Sequence, residues 1–278
     1  MKVFKFIPAI LFFIIILLVP VHAQRVISYG IQINPGYCWL SGGIPSGAEG
    51  FSKESAYAIN FGITGKYYFS KVTAIQTGFQ VNNYSYKLTA KSYSAQFQTI
   101  DSENKSYQRI ISGDSVSESS SLTLLNIPVC FVYEIPLNRN IHLYASVGPS
   151  LAIPIKSSLK GSGTFSYKGY YEEGNYTLEN ISIYGFNNNV PVNVNEKMNT
   201  ALLSIHANAS AGCIFTINRY WKFVLNLNYS SSFTSIVKNN SNYYISNELG
   251  RFHSILENKA SKLNSVSFGI SIQKLILF

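Results

Sequence analysis

Few residues of this 278-residue chain are of types that do chemistry, and their spacing keeps them apart. After the first 23 residues the histidines are His142, His206 and His253. His142 sits beside a predicted turn. His206 lies about eleven residues from the next turn, some 30 Å along a strand that rises ~3.3 Å per residue. They cannot share a metal. His253 has Glu248 and Glu257 nearby, at no spacing that suits a metal or a general base. Glu172-Glu173 is an acid pair, but in the turn-like run Glu172-Glu-Gly-Asn175, where the charges are read as solvated. The cysteines, Cys38, Cys130 and Cys213, are odd in number and show no CxxC or metal-ligand spacing, so no disulfide framework is expected. No phosphate-binding glycine loop, HExxH or GxSxG occurs. The sequence therefore predicts no catalytic residue, no metal and no cofactor, and excludes an enzyme that works through any of these devices.

The elements that carry these residues are strands. Apolar and polar positions alternate with period two in eight segments. Tyr57, Ile59, Phe61, Ile63, Tyr67 and Phe69 share one face, opposite Ala58, Asn60, Gly62, Thr64 and Lys66. The same pattern recurs over 29–39, 75–82, 125–133, 141–153, 203–215, 223–230 and 265–272. The segments span 8–13 residues, matching the roughly 9–11 that a tilted membrane strand needs. Short connections at Ser70-Lys71, Pro136–Asn140 and Asn218–Lys222 alternate with long ones at about 40–56, 88–120, 156–199 and 235–262. That is the loop pattern of a membrane barrel, with tight periplasmic turns, extended outer loops and both termini in the periplasm. Within the long connections, 93–100 with 106–111, and 165–171 with 176–184, flank turn-like runs. They are read as hairpins that protrude into water. If they cross the membrane instead, the barrel has ten to twelve strands.

Alternation alone does not say which face is outside. The polar face is mostly Gly, Ser, Asn, Gln and Thr, and only 13% of the chain is charged. A water-washed exterior carries Lys and Glu in quantity, whereas small uncharged groups suit a narrow lumen. Aromatics gather at both strand ends: Tyr67, Phe69, Tyr133, Trp221, Phe223 and Phe278 at the short turns, and Tyr37, Trp39, Tyr57, Tyr84, Tyr86, Tyr229 and Phe233 at the long loops. Two such girdles mark two headgroup layers. Of the 13 acidic residues, Glu134 alone falls outside the long connections. The basic residues form no cluster of five or more, so nucleic acid is not an expected partner. Those near strand ends are placed to meet lipid phosphates.

The first 23 residues read as a secretory leader. Lys2 and Lys5 precede the apolar run 6–19, and Val21-His-Ala23 offers a cleavage site before Gln24. The expected domains are a signal peptide, 1–23, and an outer-membrane β-barrel, 24–278.

The chain ends in Phe278, with Ile276, Ile272 and Ile270 at alternate positions before it, and Lys274 as a departure from the apolar series. This resembles the C-terminal assembly signal of outer-membrane barrels, and implies the barrel-assembly machinery as a partner during biogenesis. The stretches Gly62-Ile-Thr-Gly-Lys-Tyr-Tyr-Phe-Ser70 with Gln76-Thr-Gly-Phe79, Leu124-Leu-Asn-Ile-Pro-Val129 with Tyr133, and Tyr144-Ala-Ser-Val-Gly-Pro149 resemble the outer-membrane β-barrel family common in Bacteroidetes, often called PorT-like. The resemblance implies an all-β, antiparallel transmembrane barrel of about eight strands. Some relatives serve a secretion system for surface proteins. The expected function is a non-enzymatic membrane anchor whose long loops bind an extracellular or secretion-system partner. The alternative is a small-solute channel, if the strands number ten or more.

Overall fold

The computed structural model describes residues 26–41, 48–50, 52–54, 56–236 and 262–277. Its strands are β1 (Val26–Ser41), β2 (Ala48–Glu49), β3 (Ser52–Glu54), β4 (Ala56–Tyr68), β5 (Thr73–Ile100), β6 (Ser106–Pro136), β7 (Ile141–Tyr171), β8 (Tyr176–Glu179), β9 (Val190–Glu196), β10 (Ser204–Thr216), β11 (Trp221–Ser232) and β12 (Lys262–Leu277). Eight of them, β1, β4, β5, β6, β7, β10, β11 and β12, pair antiparallel in that order. The β7–β10 and β12–β1 ladders close the ring. Closure leaves no open edge, the condition for strands to stand in hydrocarbon. The eight segments read from the periodicity are these eight strands.

Burial follows the parity of the sequence. On β4, Asn60, Gly62, Thr64 and Lys66 point into the barrel, while Tyr57, Ile59, Phe61, Ile63 and Tyr67 are exposed outside it. The outer surface is a belt of Ile, Leu, Val and Phe, bounded at the long-loop end by Tyr37 stacked near Tyr57 (ring centroids 5.6 Å apart) and Trp39 near Tyr229 (6.4 Å). At the short-turn end it is bounded by Tyr67 with Phe69 (5.9 Å) and Phe215 with Phe223 (6.4 Å). Tyr84 and Tyr86 do not join the girdle. Both are buried inside, because their parity carries them inward.

The three longest strands, β5, β6 and β7, have 28, 31 and 31 residues, far more than a membrane crossing requires. Their extra length forms a curved sheet beyond the belt, with β2 and β3 paired to the edge of β5, and β8 and β9 paired to β7. The 93–100/106–111 hairpin is therefore continuous with the barrel strands, not a separate pair of crossings. The second expected hairpin is shorter than its pattern. β8 stops at Glu179, and a single 3-10 turn at Ser182–Tyr184 follows.

The exterior assignment makes a quantitative prediction. Leu225 lies on the outer face of β11, paired to Ile270 and Cys213. An arginine at mid-depth on a lipid-facing strand costs about 2–4 kcal/mol. Leu225→Arg should lower stability by about that amount in urea titrations of protein folded into vesicles, and Leu225→Ile should not. Equal midpoints for all three proteins would mean that this face does not meet lipid.

Candidate functional site

Two features stand out along the barrel axis: a sealed lumen and a sheet built on top of it. The lumen is lined by Asn34, Asn60, Asn82, Asn126, Gln32, Gln76, Gln80 and serines from the opposite walls. Side chains of this size nearly fill an eight-stranded interior, and the cavity left between them is only ≈ 50 Å³. Hydrogen bonds link neighbouring strands along its wall, as between Ser146 and Ser210 at 2.6 Å.

Below the cavity, at the short-turn end, a charged cluster closes the barrel. Glu134 Oε1 accepts from Lys66 Nζ at 3.2 Å and from the Tyr68 hydroxyl at 2.8 Å. Lys222 Nζ lies 3.6 Å from Glu134 Oε2 and donates to the Tyr68 oxygen at 3.4 Å. Lys66 Nζ also sits 4.9 Å from the centre of the Tyr144 ring. Four strands contribute to this cluster, and nothing in the local sequence around any one of them joins them. The sequence signal was Glu134 itself, the acidic residue that falls outside the long connections. Above the cavity Tyr84, Leu122 and Leu124 close the other end, all buried, with the Tyr84 hydroxyl accepting from Asn82 Nδ2 at 3.1 Å.

The sheet above continues from that apolar layer. Leu88, Ala90, Tyr93, Ile111, Val116, Leu159, Phe165, Tyr167, Val192, Val194 and Met198 form one core with the barrel mouth. Phe165 lies across Gly113 and Gly163, where a Cβ on Gly113 would collide with its ring. Glu118 is not solvated as its place in a long connection suggests. It is buried, and accepts from Tyr86 Oη at 3.3 Å and Ser120 Oγ at 3.0 Å. The outward face carries Ser85, Lys87 and Thr89 on β5, Ser117, Ser119 and Ser121 on β6, and Ser158, Lys160 and Ser162 on β7. These line up across the strands, as Lys87↔Ser119↔Lys160↔Asn195, and frame a recess of ≈ 430 Å³.

Further out, Tyr107, Tyr171 and Tyr176 stack with centroids 5.1 Å apart in each step, and Phe186 packs edge-on at 5.8 Å. The β5–β6 tip is tied by Asp101 Oδ1, which accepts from the amides of Lys105 (2.8 Å) and Glu103 (2.9 Å). These bonds, that of Lys105 first, hold the Asp101 carboxyl below the usual carboxylate range. Burial, and then the Asp101 carboxylate that accepts its proton, push the Tyr171 phenol up to about 12.

His142 and His206 lie in opposite halves of the lumen, facing Ile214 and Ser150 respectively, and no set of three metal-ligating side chains converges among the described residues. Cys38, Cys130 and Cys213 are free thiols. Of the expected assembly signal, Ile270 and Ile272 are exposed on the lipid-facing surface and Ile276 is half-buried beside Ile27. Phe278, His253, and the Ala23 and Gln24 cleavage positions lie outside the described residues.

The family model for the outer membrane protein beta-barrel domain matches residues 40–238. The chain belongs to that family. It is a protein of the bacterial outer membrane, so the short-turn end of the barrel is periplasmic and the long sheet is extracellular. Among solved structures it is similar to the outer membrane protein OprG from Pseudomonas aeruginosa (12% identity, 91% of this chain and 96% of that one, TM-score 0.41). It is also similar to Neisserial surface protein A (11%, 87% and 95%, 0.35). A third likeness is to Ail, the attachment invasion locus protein of Yersinia pestis, solved with the heparin analogue sucrose octasulfate (9%, 90% and 99%, 0.31). A search of curated proteins finds no match.

The periplasmic cluster of this family member is open to test. Removing one partner of a buried ion pair leaves the other charge uncompensated, at about 3–5 kcal/mol. Glu134→Ala strands both Lys66 and Lys222, and should lower the urea midpoint of the vesicle-folded barrel accordingly. Adding Lys66→Met should recover part of the loss. Unchanged unfolding of Glu134→Ala would show that the cluster does not hold the barrel closed.

Proposed function

We propose that this protein is a non-enzymatic anchor: a filled barrel that holds an extracellular sheet for contact with an extracellular or secretion-system partner. The observation that carries the reading is the continuity of β5, β6 and β7, which run from the membrane into a sheet with its own apolar core. A rigid, packed extension serves display. A pore has no use for it, and its mouth is blocked by the same side chains. The eight-stranded ring and the ≈ 50 Å³ cavity favour this over a solute channel. The Ser-, Asn- and Lys-bearing face around Lys87 and Lys160, with the tyrosine stack above it, is the surface offered to the partner. The proposal includes a PorT-like affiliation, a leader cleaved between Ala23 and Gln24, and assembly directed by Ile270, Ile272, Ile276 and Phe278.

Planar-bilayer recordings should show no large, steady single-channel conductance, and their presence would replace the anchor with a channel. A membrane-impermeant maleimide should label Lys160→Cys on intact cells and leave Arg139→Cys, in the β6–β7 turn, unlabelled. The opposite result would invert the topology. N-terminal sequencing of membrane-fraction protein should begin at Gln24.

A further inference from the structure

Lys274 is the polar residue that interrupts the apolar C-terminal series, and its surroundings give it a purpose. It lies on the outer face of β12, three residues from the strand end, in the cross-strand row Trp221↔Lys274↔Tyr29↔Gly65↔Thr77. Its ammonium sits 5.8 Å from the Trp221 ring centre, where β11 leaves the periplasmic turn. A lysine on a four-carbon stem beside an interfacial tryptophan reaches the headgroup layer while its stem stays in hydrocarbon.

Beside it the belt is hollow. A recess of ≈ 640 Å³ runs from Lys274 and Trp221 past Tyr29, Ile31 and Ile63 to Phe79. Its depth comes from Gly65. Other lipid-facing positions of β4 carry Ile, Phe or Tyr. Gly65 has an ordinary backbone conformation, and a Cβ placed there would meet nothing nearer than the Ser28 carbonyl oxygen at 3.9 Å. Glycine here is required neither by the backbone nor by protein packing. A strand glycine without those reasons marks a place where another molecule comes close.

We propose that this recess seats one phospholipid of the periplasmic leaflet, with an acyl chain against Gly65 and the anionic headgroup phosphate on Lys274. Lipid tails gain nothing from leaving one another for a protein surface. Selection therefore comes from filling a gap that would forfeit dispersion contacts and from a charge pair at the edge of the hydrocarbon. The recess supplies the first and Lys274 the second, and they adjoin.

The test uses full-length mature protein folded into phosphatidylcholine vesicles that carry a minor fraction of phosphatidylglycerol, then extracted in mild detergent for native mass spectrometry. Wild type should retain one phosphatidylglycerol. Lys274→Gln should reduce retention about fivefold, the factor one lysine near an anionic surface supplies. Gly65→Leu should reduce it as strongly by filling the seat, whereas Lys274→Arg should keep it. Lys71→Gln, in another periplasmic turn, is the control and should change nothing. Matched urea midpoints for Gly65→Leu and wild type show that the loss is not unfolding; if that variant misfolds, the Gln and Arg pair decides. Equal retention by Lys274→Gln and wild type, equal retention of phosphatidylcholine, or a lipid-free dimer sealed through this face would each overturn the proposal.

Discussion

Side chains on a strand alternate between two faces, and that parity holds along a strand unless a bulge interrupts it. The solvent outside this barrel does change. Over the lower part of β6 the outward residues are Tyr133, Phe131, Val129, Ile127 and Leu125, which meet lipid, and the inward ones include Glu134 and Asn126. Past Leu124 the chemistry trades places. Thr123, Ser121, Ser119 and Ser117 now face outward into water, while Leu124, Leu122 and Val116 face inward. β5 turns over in the same way between Val81 and Asn83; on β7 a register shift against β6 between Ile153 and Lys156 turns the parity itself over, so that even-numbered Lys156, Ser158 and Lys160 face outward. Because all three strands invert at one level, a polar lumen becomes an apolar core, with a register shift in the β6–β7 ladder at that level.

That inversion explains the two closures of the lumen. At the extracellular end the apolar core of the sheet begins inside the mouth, so Tyr84, Leu122 and Leu124 seal it by packing. At the periplasmic end no sheet follows, and a smaller apolar cluster of Ala74, Val132, Tyr144, Ile214 and Val224 shares the seal with the ion pairs. Glu134 faces two lysines, of which Lys66 lies over the Tyr144 ring and Lys222 over the Tyr68 ring. Ion pairs of this kind add less to stability than they remove when broken. Their effect is to fix which side chains occupy the end of the barrel.

The exterior shows the same economy of means. Where the surface meets hydrocarbon it is apolar, with small residues at Ala145, Ala207, Ala209 and Ala211 on β7 and β10, and with a hollow at Gly65 and Thr77 beside Lys274. Where it meets water it is hydroxyl and amide, with charges of both signs, some of them paired: Glu54 to Lys87 at 3.4 Å, Glu103 to Lys105 at 2.9 Å, and Glu179 to Lys168. Binding surfaces of both kinds are thus set by which solvent a given rung of the sheet stands in.

The sequence by itself determined the eight crossings, their order, their outward faces and the alternation of short and long connections. All of these rest on period two and on turn residues, which are local. It also carried the sign of the inversion in Leu124-Leu125, two adjacent apolar residues pointing opposite ways, and in Tyr84 and Tyr86 on the polar parity. A single period-two template distinguishes neither from an ordinary strand end, because parity alone does not say where water replaces lipid. What only the tertiary structure decided is contact between strands distant in sequence. Lys66, Glu134 and Lys222 meet because ring closure brings β4, β6 and β11 around one axis. Glu118 is buried where Tyr86 of β5 and Met198, which follows β9, meet on the inner side of the sheet. The hollow at Gly65 exists because Tyr29, Thr77 and Lys274 come from three other strands. Register across a closed barrel is a collective property of all its ladders, and no stretch of the chain encodes it alone.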